Sequence, residues 1–373
     1  MHLEREMRGY QRAMVSFIKD TKKCALFVDM GLGKSVSVLT AVRELQLEFE
    51  LGRTLVVGPP RVVRKVWPDE IKNWDHTQAI TATSLQTTPK NRLKRLKSAS
   101  DMHLISHDLV PWLDGYLQER KHDYDMIVID ESSGFKNQSS YRWKAMRRLV
   151  RSARYVVLMT GTPAANGLQD LWGQIYLLDG GARLGHTETD FKERWFTKEW
   201  DGHGIKPKSF AEKAIKGRIE DICFTLLDKD YSELPPRLNN TVAVDLGSEM
   251  MQTYKRFERE YVLEMEDGKE ITAISAAAMT QKLQQLSNGI VYDRDKGENF
   301  LHHAKIDALK DIVAEAAGEP MIVAYQYRSD IGAILKAFPE AVPLGNKTQT
   351  IDDWNAGLIP MLVMHPKSGG HGL

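Results

Sequence analysis

The chain has 373 residues, a formal net charge of +1, 42% hydrophobic residues and 27% charged residues. This composition is typical of a folded globular protein and excludes a disordered chain, while the length predicts about two domains. No stretch reaches the length of a membrane span, and the charged N-terminus lacks the apolar core of a secretory signal. Two cysteines far apart in sequence, Cys24 and Cys223, indicate free thiols in a reducing compartment. We therefore expect a cytoplasmic protein without membrane contact, and any basic surface must be local.

Residues 1–180 alternate apolar runs with helix-like patterns. Continuous runs of Val, Ile and Leu are typical of parallel strands that are buried on both faces. The alternation predicts a doubly wound α/β domain, in which binding sites lie outside the carboxyl ends of the strands. The predicted strands are 25–28, 54–57, 103–105, 126–129 and 155–159, and the predicted helices are 35–47, 145–150 and 168–178.

Residues 181–236 break this alternation and predict a helical insert and linker. Gly180-Gly181 opens the stretch and Pro235-Pro236 closes it, as strong turn formers do. Its aromatic residues either form the core of the insert, which is the commoner case, or stack on nucleic-acid bases. The aromatic residues are Phe191, Trp195, Phe196 and Trp200, and the two interpretations apply to the last three.

Residues 237–373 predict a second α/β domain. The sequence stops just after a glycine-rich turn, which we interpret as an incomplete second domain. Its predicted strands are 241–244, 321–325 and 361–364, and its predicted helices are 248–266, 272–287 and 331–338.

The run Phe27-Val28-Asp29-Met30-Gly31-Leu32-Gly33-Lys34-Ser35 joins a predicted strand to a predicted helix. Glycines here let backbone N–H groups approach phosphates, and the helix N-terminus adds a partial positive charge. Lys34 can reach the β and γ phosphates of a nucleotide, and the Ser35 hydroxyl can hold Mg²⁺. The alternative is a glycine turn without a ligand, since Val28 stands where this motif usually has its first Gly.

Two carboxylates, Asp130 and Glu131, follow the strand predicted at 126–129. In a nucleotide site the first carboxylate coordinates Mg²⁺ and the second polarises the attacking water. The alternative is a helix cap or a solvated pair at a strand end. The phosphate-binding pattern in the same domain favours the catalytic interpretation.

The segment Thr160-Gly161-Thr162-Pro163 follows the strand predicted at 155–159. A simple turn is one interpretation, because Gly and Pro are good turn formers. The other is that the threonine hydroxyls contact the neighbouring carboxylates and sense the γ phosphate.

Together these segments resemble motifs I, II and III of the superfamily-two helicases, and more narrowly those of the Swi/Snf-type DNA translocases. The resemblance implies two RecA-like lobes of parallel sheet flanked by helices, with ATP and Mg²⁺ bound between them and double-stranded DNA as the partner. Further segments extend it over nearly the whole chain: Val57-Gly58-Pro59-Pro60 with Trp67, Glu70-Ile71 and Trp74; Phe135-Lys136-Asn137; Asn166 with Leu171-Trp172; Leu234-Pro235-Pro236; Val323 to Ser329; and Lys367 to Leu373.

The resemblance also implies roles for individual residues. Gln11 would read adenine beside Arg8 and Tyr10, and Gly370 would touch the nucleotide from the final motif. The phosphate loop would be Met30, Gly31, Leu32, Gly33, Lys34 and Ser35, with Lys34, Asp130 and Glu131 catalytic and Ser35 and Asp130 on Mg²⁺. Thr160, Gly161 and Thr162 would couple hydrolysis to motion, and the DNA contacts would be Pro59, Arg61, Ser106, His107, Gln326, Arg328 and Ser368.

Two basic runs, at 90–97 and 142–154, have two interpretations. A charge run is usually a solvated helix face. The alternative is contact with nucleic-acid phosphates, which Lys and Arg supply without sequence preference.

Three departures from the family pattern shape the functional prediction. Ser133 stands where the Asp-Glu-Ala-His form has His, the helical protrusions of remodellers have little room, and the chain ends before motif VI. An arginine of that motif stabilises γ-phosphate charge, so we expect weak hydrolysis. We predict a monomeric ATP-dependent translocase on double-stranded DNA from a bacterial or viral setting. The alternatives are a strand-separating helicase or RNA-directed ATPase, with single-stranded DNA or RNA as partner, and a nucleotide-gated DNA-binding module without turnover.

Overall fold

A computed structural model describes residues 1–118, 122–198, 204–227, 238–266, 273–292, 297–345 and 347–369. The chain forms two compact units, Met1–Leu234 and Pro235–His371. The division into 1–180, 181–236 and 237–373 stays a prediction. Both cysteines are free thiols, and no helix in the described ranges is long and apolar enough to cross a membrane.

A seven-stranded parallel sheet forms the centre of the first unit. The strand order is β3-β4-β2-β5-β6-β1-β9. The five strands predicted from apolar runs are confirmed, each slightly longer than expected, whereas β3 and β9 were not predicted. The strands of this unit are β1 (Lys23–Val28), β2 (Arg53–Gly58), β3 (Ala82–Ser84), β4 (Met102–Ser106), β5 (Tyr124–Asp130), β6 (Tyr155–Thr160), the hairpin strands β7 (Phe196–Lys198) and β8 (Ile205–Pro207), and β9 (Cys223–Leu226).

Helices cover both faces of this sheet. Successive residues of a strand face opposite layers, so Leu26 packs against α1, α2 and α3 while Phe27 packs in the layer of α5 to α9. The fold is therefore α/β, as predicted. The helices are α1 (Gly9–Thr21), α2 (Lys34–Leu47), α3 (Trp67–Asn73), α4 (Pro89–Leu96), α5 (Val110–Leu117), α6 (Tyr141–Leu149), α7 (Leu171–Asp179), α8 (Glu188–Trp195) and α9 (Ala211–Ile219).

Residues 181–227 belong to the same packing unit as the sheet. Phe191, Trp195 and Phe196 are buried in its hydrophobic core, which confirms the core interpretation for Trp195 and Phe196. Trp200 lies outside the described residues. At the end of this stretch β9 pairs in parallel with β1, so the segment predicted as insert and linker supplies the seventh strand.

The second unit contains a three-stranded parallel sheet in the order β12-β14-β13. The predictions at 321–325, 361–364, 248–266, 272–287 and 331–338 are confirmed. The strands are β10 (Ile290–Tyr292), β11 (Glu298–Phe300), β12 (Met321–Ala324), β13 (Val342–Pro343) and β14 (Met361–Met364), and the helices are α10 (Ser248–Glu266), α11 (Ala273–Asn288), α12 (Ala304–Glu315), α13 (Arg328–Ala337), α14 (Gln349–Asn355) and α15 (Pro366–Gly369).

The strand predicted at 241–244 was wrong. Residues 241–247 adopt no regular structure. The Thr-Val-Ala-Val alternation is typical of a strand, yet Val242 is 56% exposed. Val242 and Val244 line a groove of the second unit beside Ile306 and Val323 but are not buried, so the alternation does not cover one apolar face as a strand in a sheet would.

Candidate nucleotide site

Three loops of the first unit meet at one edge of the parallel sheet. The strands β5, β6 and β1 are neighbours in that order, and all three run in the same direction. Their carboxyl ends therefore lie side by side. The glycine-rich segment leaves β1 there, the two carboxylates end β5, and Thr160 ends β6.

The glycine-rich loop depends on backbone angles that favour glycine. Gly31 and Gly33 have φ values of +78° and +76°, in the left-handed region that costs other residues energy. Leu32 between them is buried, and Met30 is 61% exposed. The loop then passes directly into α2, whose N-terminal N–H groups face the same edge of the sheet.

Lys34 is the first residue of α2, and its ammonium lies at the mouth of this loop. Its Nζ donates to the carbonyl oxygens of Val28 (2.6 Å) and Asp29 (2.9 Å). Burial lowers the pKa of Lys34, while the charges of Asp130 and Glu131 oppose that shift. Ser35 follows in the first turn of the helix. The sequence thus places a cation and a hydroxyl where a polyphosphate would meet the helix N-terminus.

Asp130 and Glu131 differ in their surroundings. Asp130 Oδ2 accepts a hydrogen bond from the indole Nε1 of Trp67 at 2.9 Å. Burial raises the pKa of Asp130, and the Trp67 hydrogen bond and the Lys34 charge oppose the shift. Glu131 has φ +56°, a left-handed conformation that is uncommon for a non-glycine residue and often marks functional sites.

The Glu131 carboxylate is oriented by two hydroxyls. Its Oε1 accepts from Thr160 Oγ1 (2.8 Å) and from Ser133 Oγ (2.5 Å). Thr160 in turn accepts the backbone N–H of Thr162 at 3.1 Å. The threonine segment therefore contacts the second carboxylate directly, and Ser133 bonds within the same cluster.

Gln11 lies against the phosphate-binding loop. The side chain is buried, its Oε1 accepts the backbone N–H of Arg8 at 2.8 Å, and its Nε2 lies 2.1 Å from the position that a Cβ on Gly33 would occupy. Tyr10 is half-buried and packs in the neighbouring hydrophobic layer. The structure thus brings the predicted adenine residue to the same edge as Lys34.

Oxygen donors of this set fit a magnesium ion held jointly with phosphates. Within the described ranges, no cluster of three or more His, Cys, Asp or Glu side chains could hold a metal ion. Mg²⁺ usually takes one or two protein oxygens and completes its octahedron with phosphate and water. The Ser35 hydroxyl and the Asp130 carboxylate are the donors that this chain would contribute.

The predicted DNA residues are distributed over both units. Pro59 and Arg61 follow β2, and Ser106 and His107 follow or end the adjacent β4, so these four share one sheet edge. The side chains of Ser106 and His107 are buried, and His107 Nε2 donates to the carbonyl of Asp130 at 2.8 Å. Any contact of Ser106 and His107 with DNA would therefore come from their backbone atoms.

Gln326 and Arg328 are exposed in the second unit, after the end of β12. They lie where a parallel sheet usually presents its site residues. The side chain of Ser368 and the whole of Gly370 lie outside the described residues.

In the basic run at 142–154, three of the six basic side chains pair with carboxylates. Its ion pairs are Arg142 with Asp108, Arg148 with Asp114 and Arg154 with Asp125. In the run at 90–97, Arg92 and Arg95 donate to backbone carbonyls, while Lys90, Lys94 and Lys97 are exposed. These contacts favour the interpretation as a solvated helix face more for the run at 142–154 than for the run at 90–97.

Two residues with direct contacts to the site were not assigned a role from the sequence. Trp67 belongs to a segment that resembles the family pattern. Its hydrogen bond to Asp130 depends on the packing of α3 against β5, which the sequence alone does not indicate. Gln174 accepts a hydrogen bond from Ser132, next to the carboxylates, at 2.7 Å. The available signal was a glutamine among the apolar residues of α7.

Comparison with known proteins gives three findings. A family model described as SNF2-related domain matches residues 10–292. Protein p41 of Acyrthosiphon pisum secondary endosymbiont phage 1 is 34% identical over 98% of this chain and 82% of its own length. The chromatin-remodeling ATPase INO80 of Arabidopsis thaliana is 24% identical over 80% of this chain, which spans only 21% of that relative.

Among solved structures, the Sulfolobus solfataricus SWI2/SNF2 ATPase core in complex with dsDNA superposes with a TM-score of 0.54. It covers 96% of this chain and 78% of that chain at 20% sequence identity. At this identity the likeness concerns the fold, and it agrees with an arrangement of RecA-like lobes.

Proposed function

The chain belongs to the SNF2-related domain family, and from that premise we propose that it is an ATP-dependent translocase on double-stranded DNA, with hydrolysis coupled to lobe closure. The observation that carries this proposal is the meeting of Lys34, Asp130 and Glu131 at the carboxyl edge of three neighbouring strands. A cation, a metal-binding carboxylate and a second carboxylate are the groups that phosphoryl transfer from ATP to water requires.

Each group has a distinct task in this proposal. Lys34 and the N–H groups of the glycine-rich loop bind the β and γ phosphates. Glu131, held by the hydroxyls of Thr160 and Ser133, orients a water molecule for attack on the γ phosphorus and accepts its proton. Ser35 and Asp130 would hold Mg²⁺, which would neutralise the negative charge of the phosphates when bound.

Duplex DNA is the proposed partner. The solved core with the same fold was determined in complex with dsDNA, and relatives include chromatin-remodeling ATPases. Exposed Gln326 and Arg328, together with Arg61, supply polar and basic groups near strand ends. We propose that the protein acts as a monomer, and the similar phage protein supports a viral or bacterial setting.

The test is ATP hydrolysis measured without nucleic acid and with duplex DNA, single-stranded DNA or RNA. We expect duplex DNA to stimulate turnover, and its affinity to fall steeply between about 50 and 200 mM salt. Stimulation by RNA alone would replace the proposal with an RNA-directed ATPase. Nucleotide binding without turnover under all four conditions would replace it with a nucleotide-gated binding module.

Two variants test the assigned roles. Lys34→Ala removes the phosphate-binding ammonium and is expected to abolish tight ATP binding, whereas Lys213→Ala, on the exposed face of α9, is the control. Glu131→Gln retains the shape of the side chain and is expected to keep ATP binding while turnover falls by about 10² or more. Unchanged nucleotide affinity in the first variant, or normal turnover in the second, contradicts the assignment.

A further inference from the structure

Gln174 is a fully buried side chain whose amide joins two loops of the nucleotide site. Its Oε1 accepts the hydroxyl of Ser132 at 2.7 Å, and its Nε2 donates to the carbonyl of Pro163 at 2.7 Å and to that of Asp170 at 3.0 Å. Ser132 follows the carboxylates of β5, and Pro163 belongs to the threonine loop after β6. A buried amide with these partners is stable only while both loops keep their places.

The loop after β5 is docked tightly on the helix that carries Gln174. A Cβ on Gly173 would lie 2.3 Å from the carbonyl oxygen of Lys136, so the two backbones are already in close contact. Trp143 Nε1 also donates to the carbonyl of Gly173 at 2.8 Å, and Lys136 pairs with the buried carboxylate of Asp170 at 3.1 Å. Residues 132–136 and α7 therefore behave as one packed body.

The loop after β6 is held by that same body at two points and is exposed beyond them. Gln174 binds the carbonyl of Pro163, and Asp170 Oδ2 accepts the backbone N–H of Asn166 at 3.0 Å. Residues 165–167, which include the anchored Asn166, are exposed. A displacement of Ser132 therefore reaches the threonine loop through Gln174 as well as through the bond between Glu131 and Thr160.

We propose that Gln174 is a positioning residue that transmits the nucleotide-dependent state of the carboxylate loop to the exposed threonine loop at 161–167. This inference rests on the proposed function, because it concerns how ATP at that site changes another part of the first unit. It assigns to a helix side chain, rather than to Ser133, a second link between the two loops beside the bond of Thr160 to Glu131.

The experiment compares Gln174→Met, Ser132→Ala and the double variant with the wild type, using Gln252→Met on the exposed surface of α10 as the matched control. Each single change leaves a buried polar partner unpaired and is expected to lower thermal stability. The double change replaces both members of the Ser132 hydrogen bond with apolar groups and is expected to recover the share of stability lost through that bond, while the carbonyls of Pro163 and Asp170 still lack the amide donor.

Two readouts separate transmission from structural support. The first is the protection of the backbone N–H groups of 161–167, apart from Pro163, from hydrogen exchange upon addition of MgATP. The second is kcat and KM for ATP with duplex DNA. We expect both Gln174 variants to keep KM within about twofold, to lose about tenfold in kcat, and to lose the ATP-dependent protection. The double variant should recover stability without recovering either readout.

Recovery of kcat and protection together with stability in the double variant would show that Gln174 only supports the fold, and would overturn the inference. If Gln174→Met does not fold, the two readouts of Ser132→Ala alone test the inference. This variant deletes one hydroxyl and leaves the hydrogen bond of Gln174 to Pro163 intact. A wild type that fails to bind MgATP refutes the proposed function itself, whereas wild-type protection that survives in the variants refutes only the role of Gln174.

Discussion

Gly31 and Gly33 have nearly the same backbone conformation in different surroundings, with φ +78° and +76°. A Cβ on Gly31 would meet nothing within 4 Å, whereas one on Gly33 would lie 2.1 Å from Nε2 of Gln11. The substitutions Gly31→Ala and Gly33→Ala are therefore matched in backbone strain and differ mainly in one clash. This pair can measure how the phosphate-binding loop and Gln11 depend on each other.

The expected magnitudes follow from the contacts. Alanine at either position costs about 1–2 kcal/mol in the free energy of unfolding, because the left-handed region is unfavourable for a residue with a Cβ. At Gly33 the Gln11 side chain must also move, which breaks the bond from the Arg8 N–H to Oε1 and adds about 0.5–1.5 kcal/mol. We expect Gly33→Ala to be about 1 kcal/mol less stable than Gly31→Ala.

Urea denaturation of both variants measures this difference, and titration with ATP and GTP measures its effect on base recognition. Since Gln11 is the predicted adenine-reading residue, only Gly33→Ala should lose the preference for ATP over GTP. In a Gln11→Ala background the cost of Gly33→Ala should fall to that of Gly31→Ala. Equal destabilisation by the two variants, with no effect of the Gln11 background, would refute the contact between Gln11 and the loop.

Two further predictions concern buried aromatic and imidazole groups. Trp67→Phe deletes the hydrogen-bond donor to Asp130 and should raise the Mg²⁺ concentration for half-maximal ATPase activity about tenfold. The control Trp74→Phe deletes a bond to Glu70, away from the loops, and should leave that concentration unchanged. Equal shifts of the two variants in a Mg²⁺ titration contradict the prediction. Burial lowers the pKa of His103 to about 4, below the usual 6.5. Between these two pH values the unfolded chain therefore binds more protons than the folded chain. The contribution of His103 to the free energy of unfolding is present above pH 6.5 and is lost as the pH falls. This loss of stability is about 2 kcal/mol at pH 5. Urea unfolding at pH 7 and 5 should show it in the wild type but not in His103→Gln. The same pH dependence of stability in both proteins contradicts the prediction.

The main strands of the first sheet could be predicted because each is a continuous apolar run buried on both faces. β3 and β9 could not, since Ala-Thr-Ser and Cys-Phe-Thr-Leu are short and gain their place only by pairing with β4 and β1. The wrong strand at 241–244 shows the converse case. Its alternation is adequate for a strand, but apolar residues can also line a partly exposed groove, and no local signal distinguishes the two outcomes.

The chemical groups of the candidate site were visible in the sequence because each stands at a strand end within a short motif. Their supporting contacts were not visible, since Trp67 and Gln174 lie 63 and 42 residues from the groups they bond, Asp130 and Ser132. These contacts exist only once α3 and α7 pack beside the carboxyl edge. A reactive group can be read from local sequence, whereas its orientation is fixed by tertiary packing.

The departure at Ser133 illustrates what this distinction means for the chain. The Ser133 hydroxyl donates to the carboxylate of Glu131, two residues earlier in the chain, at 2.5 Å. The link between the two loops is instead shared by Thr160, which reaches Glu131, and by Gln174, which reaches Pro163 from Ser132. The serine at position 133 thus coincides with a buried amide on α7, whose partner Ser132 lies 42 residues away in sequence. The coupling of the site should therefore be sought in Gln174 rather than in Ser133.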